Sequence, residues 1–223
     1  MRKRSLTVLG VLMAIAMAMP TSAIASQDGH TVYGPNTHPR GVTYEAWARR
    51  FGRYLFEPPV SKSPLVNPSC DVISKRGGVL FMPVATSQGI VDRCTVPAHT
   101  PLLVTPAGEF GVLGLDAATR KGVEHVVHQL TRSIHDVVVK VDGKRVPAVG
   151  RFSVSTWFGV EVGSDNIFGT PAGKYQLFLT ADMLMVRGLD PGRHTIWLGD
   201  VFTDSTHTDQ VATIKFVLTV GGN

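Results

Sequence analysis

The sequence predicts a mainly β chain: an antiparallel β-sandwich with two accessory amphipathic helices. Three observations predict it. From Val79 onward, short β-branched and aromatic runs recur between Gly and Pro breaks. Two segments, about 43–56 and 116–133, instead repeat apolar residues at helical spacing. The closing run alternates, with Ala212, Ile214, Phe216, Leu218 and Val220 on one face. Several short strands spaced in this way favour sheets packed face to face.

The chain opens on a segment with the pattern of an export signal. Arg2, Lys3 and Arg4 precede an uncharged apolar run from Ser5 to Met19, then Pro20 and the small-x-small site Ala23-Ile24-Ala25. The run of about 15 residues is short of the roughly 20 that cross a bilayer as a helix. Cleavage after residue 25 is therefore expected, not retention as an anchor. No cysteine stands beside the cut for lipid attachment, and no later segment has spanning length. The expected product is secreted or held extracytoplasmically in the cell envelope, with no transmembrane segment after cleavage.

Removing residues 1–25 of 223 leaves 198, enough for one well-packed domain. A flexible leader over 26–41, polar with Gly and Pro, is expected before a single domain over 42–223. The formal charge of +5 includes three signal cations, so the product carries +2. No Lys/Arg block survives, which argues against nucleic acid as a partner. Cys70 and Cys94 are the two cysteines, 24 positions apart. In an oxidising compartment such a pair reads as a disulfide worth about 3 kcal/mol. Without a CxxC spacing it makes a poor zinc or redox site.

Each element has its own signal. In the first helix Tyr44, Trp47, Ala48, Phe51, Tyr54 and Leu55 share a face, Thr43 is placed as N-cap, and Pro58-Pro59 ends it. Val123, Val126, Val127, Leu130 and Ile134 form the apolar stripe of the second. Strands are expected at Val79–Val84, Asp92–Val96, Leu102–Thr105 and Val137–Val141, the last entering an Asp142-Gly143 hairpin turn. Further strands are expected at Phe152–Phe158, Tyr175–Leu179, Met183–Arg187, Thr195–Val201 and Ala212–Val220.

The stretch Gly188-Leu189-Asp190-Pro191-Gly192-Arg193-His194-Thr195-Ile196, followed by a closing strand, resembles the end of a bacterial immunoglobulin-like domain. That resemblance covers about the last 85 residues and implies an immunoglobulin-like sandwich. A wider likeness rests on Tyr44 and Trp47 on a helix, Cys70, Gly78-Val79-Leu80-Phe81-Met82 and Arg93-Cys94-Thr95-Val96-Pro97-Ala98. With Val141-Asp142-Gly143 and Pro191-Gly192-Arg193-His194 in the same order, it resembles a group of exported bacterial proteins of uncharacterised function. The chain carries Phe51-Gly52 where that group tends to carry tryptophans. The resemblance implies export, the bridge and the β fold, and no catalytic residues.

Candidate chemistry is sparse. Trp157 alternates with Phe158 and shares its side with Ser153 and Ser155, a pattern suited to stacking on a sugar or capturing a partner. The competing reading buries it beneath helix 43–56. Trp197, in a strand apolar on both sides, reads as core. Asp200, Asp204 and Asp209 offer hard oxygens to calcium, although their spacing is not that of an EF-hand loop. His125 and His128 form an H-x-x-H pair, placed opposite the apolar stripe among Lys121 and Arg132, so a solvated face is expected. No G-x-S-x-G elbow is present, and a triad of Ser205, His194 and Asp200 exists on paper alone. No pair of carboxylates stands out in an apolar context.

The expectation is thus a non-catalytic binding or envelope-associated module without a catalytic residue or an assigned cofactor. Its expected partner is an envelope glycan or another surface protein. The rivals are a secreted hydrolase assembled from loops 163–173 and 200–209, and a surface protein that assembles with itself through edge strands.

Overall fold

In the computed structural model, which describes residues 32–84, 89–204 and 206–221, two five-stranded sheets enclose one continuous apolar core. The elements in chain order are α1 (Tyr44–Phe56), β1 (Ser74–Arg76), β2 (Val79–Phe81), β3 (Ile90–Val96), β4 (Leu102–Val112) and α2 (Arg120–Thr131). They continue with β5 (Ile134–Val141), β6 (Lys144–Arg145), β7 (Ser153–Val162), β8 (Gly173–Val186), β9 (Gly192–Thr203) and β10 (Asp209–Val220). The first sheet runs β1-β2-β4-β8-β7 and the second β3-β10-β9-β5-β6.

The mainly β class with two helices is present, but the sheets are mixed, not antiparallel throughout. β2 pairs parallel with β4, and β3 pairs parallel with β10. The physical reason is the crossing made by β3. It leaves β2's sheet to lie along the last strand of the other sheet, and its direction is then set by that partner. The disulfide spans this crossing, joining Cys70 ahead of β1 to Cys94 in β3. Asp92 beside it accepts the Cys70 amide at 2.6 Å.

Two strands run further than the sequence signals. β4 does not stop at Thr105: Pro106 is absorbed in a β-bulge between Val104 and Ala107, and pairing with β8 resumes to Val112. β8 passes straight through the polar Thr180-Ala181-Asp182 stretch. Thr180 there bonds the Ser155 hydroxyl of β7 at 2.9 Å, so the break in hydrophobicity is not a break in the strand. The hairpin at Asp142-Gly143 forms with both residues at positive φ, +50° and +76°, the geometry of a type I′ turn.

α1 starts at its predicted cap, Thr43 accepting the Ala46 amide at 3.1 Å. Its aromatic face is the centre of the core, with Trp47 and Phe51 fully buried against Phe81. α2 begins at Arg120, later than expected. Asp116 spends its carboxylate on the Val112 amide at 2.6 Å, and Thr119 caps the helix through Gly122. The leader is tied down from Val32 onward. Val32 bridges Val186, Tyr33 donates its amide to Met185, and Pro39 accepts the Trp47 indole N–H. Residues 1–31, with the expected signal and the start of the leader, lie outside the described residues.

Candidate functional site

Alternation places Trp157 on the outer side of β7 with Ser153 and Ser155, both exposed. The platform is nonetheless occupied, and by the other helix: α2, not α1, lies across it. Val123 and Val127 of α2 pack with Phe178 against Trp157. The indole Nε1 donates to Glu124 at 2.6 Å, and the Arg120 guanidinium sits 4.9 Å from the ring centroid. α1 lies on the opposite, inner side of β7, where Gly52 meets the Phe158 ring.

Trp197 is not core. It alternates with the fully buried Ile196 and Leu198, and this turns its indole to the outer side of the second sheet, half-buried. The indole lies over Gly199, and Lys140 Nζ is 5.1 Å from its centroid.

The acidic loop serves itself. Asp204 accepts from the Thr206 and Thr208 amides and the Thr206 hydroxyl, and these bonds hold its carboxyl below the usual range. Asp209 accepts from the Thr203 hydroxyl at 2.8 Å. Asp200, Asp204 and Asp209 do not converge on a point. Among the described residues the one His/Cys/Asp/Glu trio drawn together is Cys70, Asp92 and Cys94, two of which are bonded to each other. His125 and His128 are exposed on α2, the latter edge-on to Phe178 at 5.5 Å. His194 uses one ring nitrogen on Asp142 at 2.7 Å and the other on the Asp190 carbonyl, away from Asp200. Ser205 lies outside the described residues. In loop 163–173, Asn166 is consumed by its own turn, bonding Gly163, Phe168 and Thr170.

The structure does assemble a carboxylate pair that the linear pattern hides. A cavity of about 310 Å³ opens at the β4 bulge, walled by Phe51 and Leu55 of α1, Leu65 and Phe202. Glu109 of β4 and Asp200 of β9, 91 residues apart, both line it. Asp200 occupies the position in β9 where the inward series Ile196, Leu198 would place another apolar side chain. Burial pushes its carboxyl up to about 6. Glu109 is raised by burial and further by the Asp200 charge. Neither carboxylate has a cationic partner among the described residues. The wall also contains Thr105, a fully enclosed residue whose hydroxyl has no partner among the described residues.

A smaller cavity beside it, between Ile134, Ser153 and Asp182, holds a third carboxyl that burial raises to about 6. The available sequence signal was Asp200 breaking an apolar alternation. Glu109 gave none, because the strand that carries it was expected to end at Thr105. No family model, no curated protein and no solved structure matches this chain.

Proposed function

We propose that the chain is exported and that its mature part is a non-catalytic, envelope-associated binding module. The module takes a small amphipathic cation into the cavity between its sheets. One observation carries the ligand class: two part-buried carboxylates share a largely apolar cavity with no cationic partner among the described residues. An organic ammonium supplies the missing charge, and its apolar body matches Phe51, Leu55 and Phe202. Export is supported by the Cys70–Cys94 bridge, which persists in oxidising compartments, and by the start of the sequence. No helix among the described residues is long and apolar enough to cross a membrane. Two facing sheets, with the chain handed from β8 in one to β9 in the other, support the immunoglobulin-like reading of the C-terminal part.

Calorimetric titration with phenethylamine and its neutral isostere 2-phenylethanol tests this reading. The amine binds at least tenfold more tightly at pH 8, and that advantage shrinks at pH 5, where Asp200, raised to about 6, holds its proton. Glu109→Gln with Asp200→Asn removes it at both. Equal binding of amine and alcohol, or an unchanged double variant, refutes it. The same carboxyl pair favours a second reading, a hydrolase using acid and base. Under that reading aryl glycosides turn over, and Asp200→Asn abolishes the turnover.

A further inference from the structure

Among the described residues neither helix lies on the outer side of the second sheet: α1 packs against β7 and β8, and α2 against β4 and β8. Register fixes what it displays, since residues directly paired across strands share a side. One row reads Arg145, Lys140, Trp197, Lys215 and Val91, across β6, β5, β9, β10 and β3. The next row holds Thr195, Val217 and Arg93, and the one after it Arg193, Thr219 and Thr95. Arg93, Lys140, Arg145, Arg193 and Lys215 are all exposed, and none has an acidic partner among the described residues. Two nearby acids are already engaged, Asp142 by His194 and the Thr195 amide, and Asp92 by the Cys70 and Arg93 amides. Five cations without an acidic partner among the described residues therefore share one sheet face with an aromatic ring, in a chain whose product carries a net charge of only +2.

From this surface we propose a second binding site, separate from the inter-sheet cavity, for an acidic polysaccharide. The occupant follows from complementarity. Adjacent strands lie about 4.8 Å apart, so the row from Arg145 to Lys215 spans about 14 Å. That is a line of positive charge with one flat apolar ring in it. A polyuronate presents the mating pattern: carboxylates in series along the chain, and pyranose rings whose C–H faces stack on an indole. Lys140, whose Nζ lies over the Trp197 ring, swings aside on its flexible stem to meet a carboxylate as the sugar takes its place on the indole. Gly199 keeps the stack low: a Cβ there would stand 2.5 Å from the Trp197 ring and lift it from the sheet. A single aromatic is a poor match for single-stranded nucleic acid, which is held by successive stacked bases.

Affinity electrophoresis of the purified protein in gels containing polygalacturonate, neutral dextran or neither reads the interaction directly. Fluorescence titration with a dT oligonucleotide and with anionic vesicles runs beside it. Polygalacturonate retards the protein and dextran does not. Lys140→Gln with Lys215→Gln weakens the retardation about tenfold and flattens its salt dependence. Trp197→Ala weakens it by a similar factor without changing the salt slope, and Trp197→Phe, which keeps a ring over Gly199, restores most of it. Glu109→Gln leaves it unchanged, which separates this surface from the cavity. Absence of retardation, indifference to Trp197, or equal affinity for the oligonucleotide or the vesicles overturns the proposal.

Discussion

Asp182 and Asp200 are carboxyls that the fold pushes up to about 6 from an ordinary value of 3.8, in both cases chiefly by burial. A raised carboxyl means that the folded state holds its proton more tightly than the unfolded chain. The associated stability is fully present below about pH 4 and is lost as pH rises through about 6. Stability should therefore fall between those values, and Asp182→Asn should flatten the fall. At pH 7.5 that variant should gain about 1 kcal/mol, a full two-unit shift being reduced by partial exposure. Denaturant melts at pH 4, 6 and 7.5 check both statements, and a flat wild-type profile would contradict them. At Trp157 the expectation is structural. Trp157→Phe removes the N–H that binds Glu124 and should cost about 1 kcal/mol by loosening α2. It should leave retention in polygalacturonate gels untouched, unlike substitution of Trp197.

Among the elements, α1 shows how packing overrides local preference. Gly52 lies mid-helix, where alanine is about 1 kcal/mol better by propensity. A Cβ there would stand 2.2 Å from the Phe158 ring, which is buried and held against Phe56. Overpacking of that severity costs about 1–3 kcal/mol and wins. Gly52→Ala should lower the unfolding midpoint in urea, and a rise would show that the ring gives way freely. The helices were legible because each carries a full amphipathic period; Thr43 also marked the start of α1, whereas the Thr119 cap of α2 went unread and that helix was expected to begin at 116. The ends of β4 and β8 were not. Pro106 and the Thr180–Asp182 stretch look like terminators in one dimension, but a bulge and a hydroxyl pair on β7 absorb them.

At the scale of the whole molecule, the bridge ties the segment entering the first sheet to the edge strand of the second. Cys70→Ala with Cys94→Ala should cost about 2–4 kcal/mol. Thermal unfolding with and without reductant measures it: reductant should lower the wild-type midpoint and leave the double variant unmoved. β3, parallel to β10, carries Cys94 and forms the edge of the second sheet opposite β6. The same sheet, with neither helix of the described residues on its outer side, gathers cations from five strands that never form a charge run along the chain.

What the sequence determined by itself is whatever repeats over short distances. The two amphipathic helices, the β-rich remainder, the Asp142-Gly143 turn and the pairing of two cysteines all follow from period, composition and count. Tertiary structure alone decided which side of each sheet a helix would cover. It thereby packed α2 against Trp157 and left Trp197 with no helix over it among the described residues, both rings being half-buried. It alone brought Glu109 within reach of Asp200, 91 residues away, and aligned Arg93, Arg145, Lys140 and Lys215 around one ring. The reason is physical: alternation tells which residues share a side of a strand, while strand order and helix docking are set by long-range burial that no local pattern records.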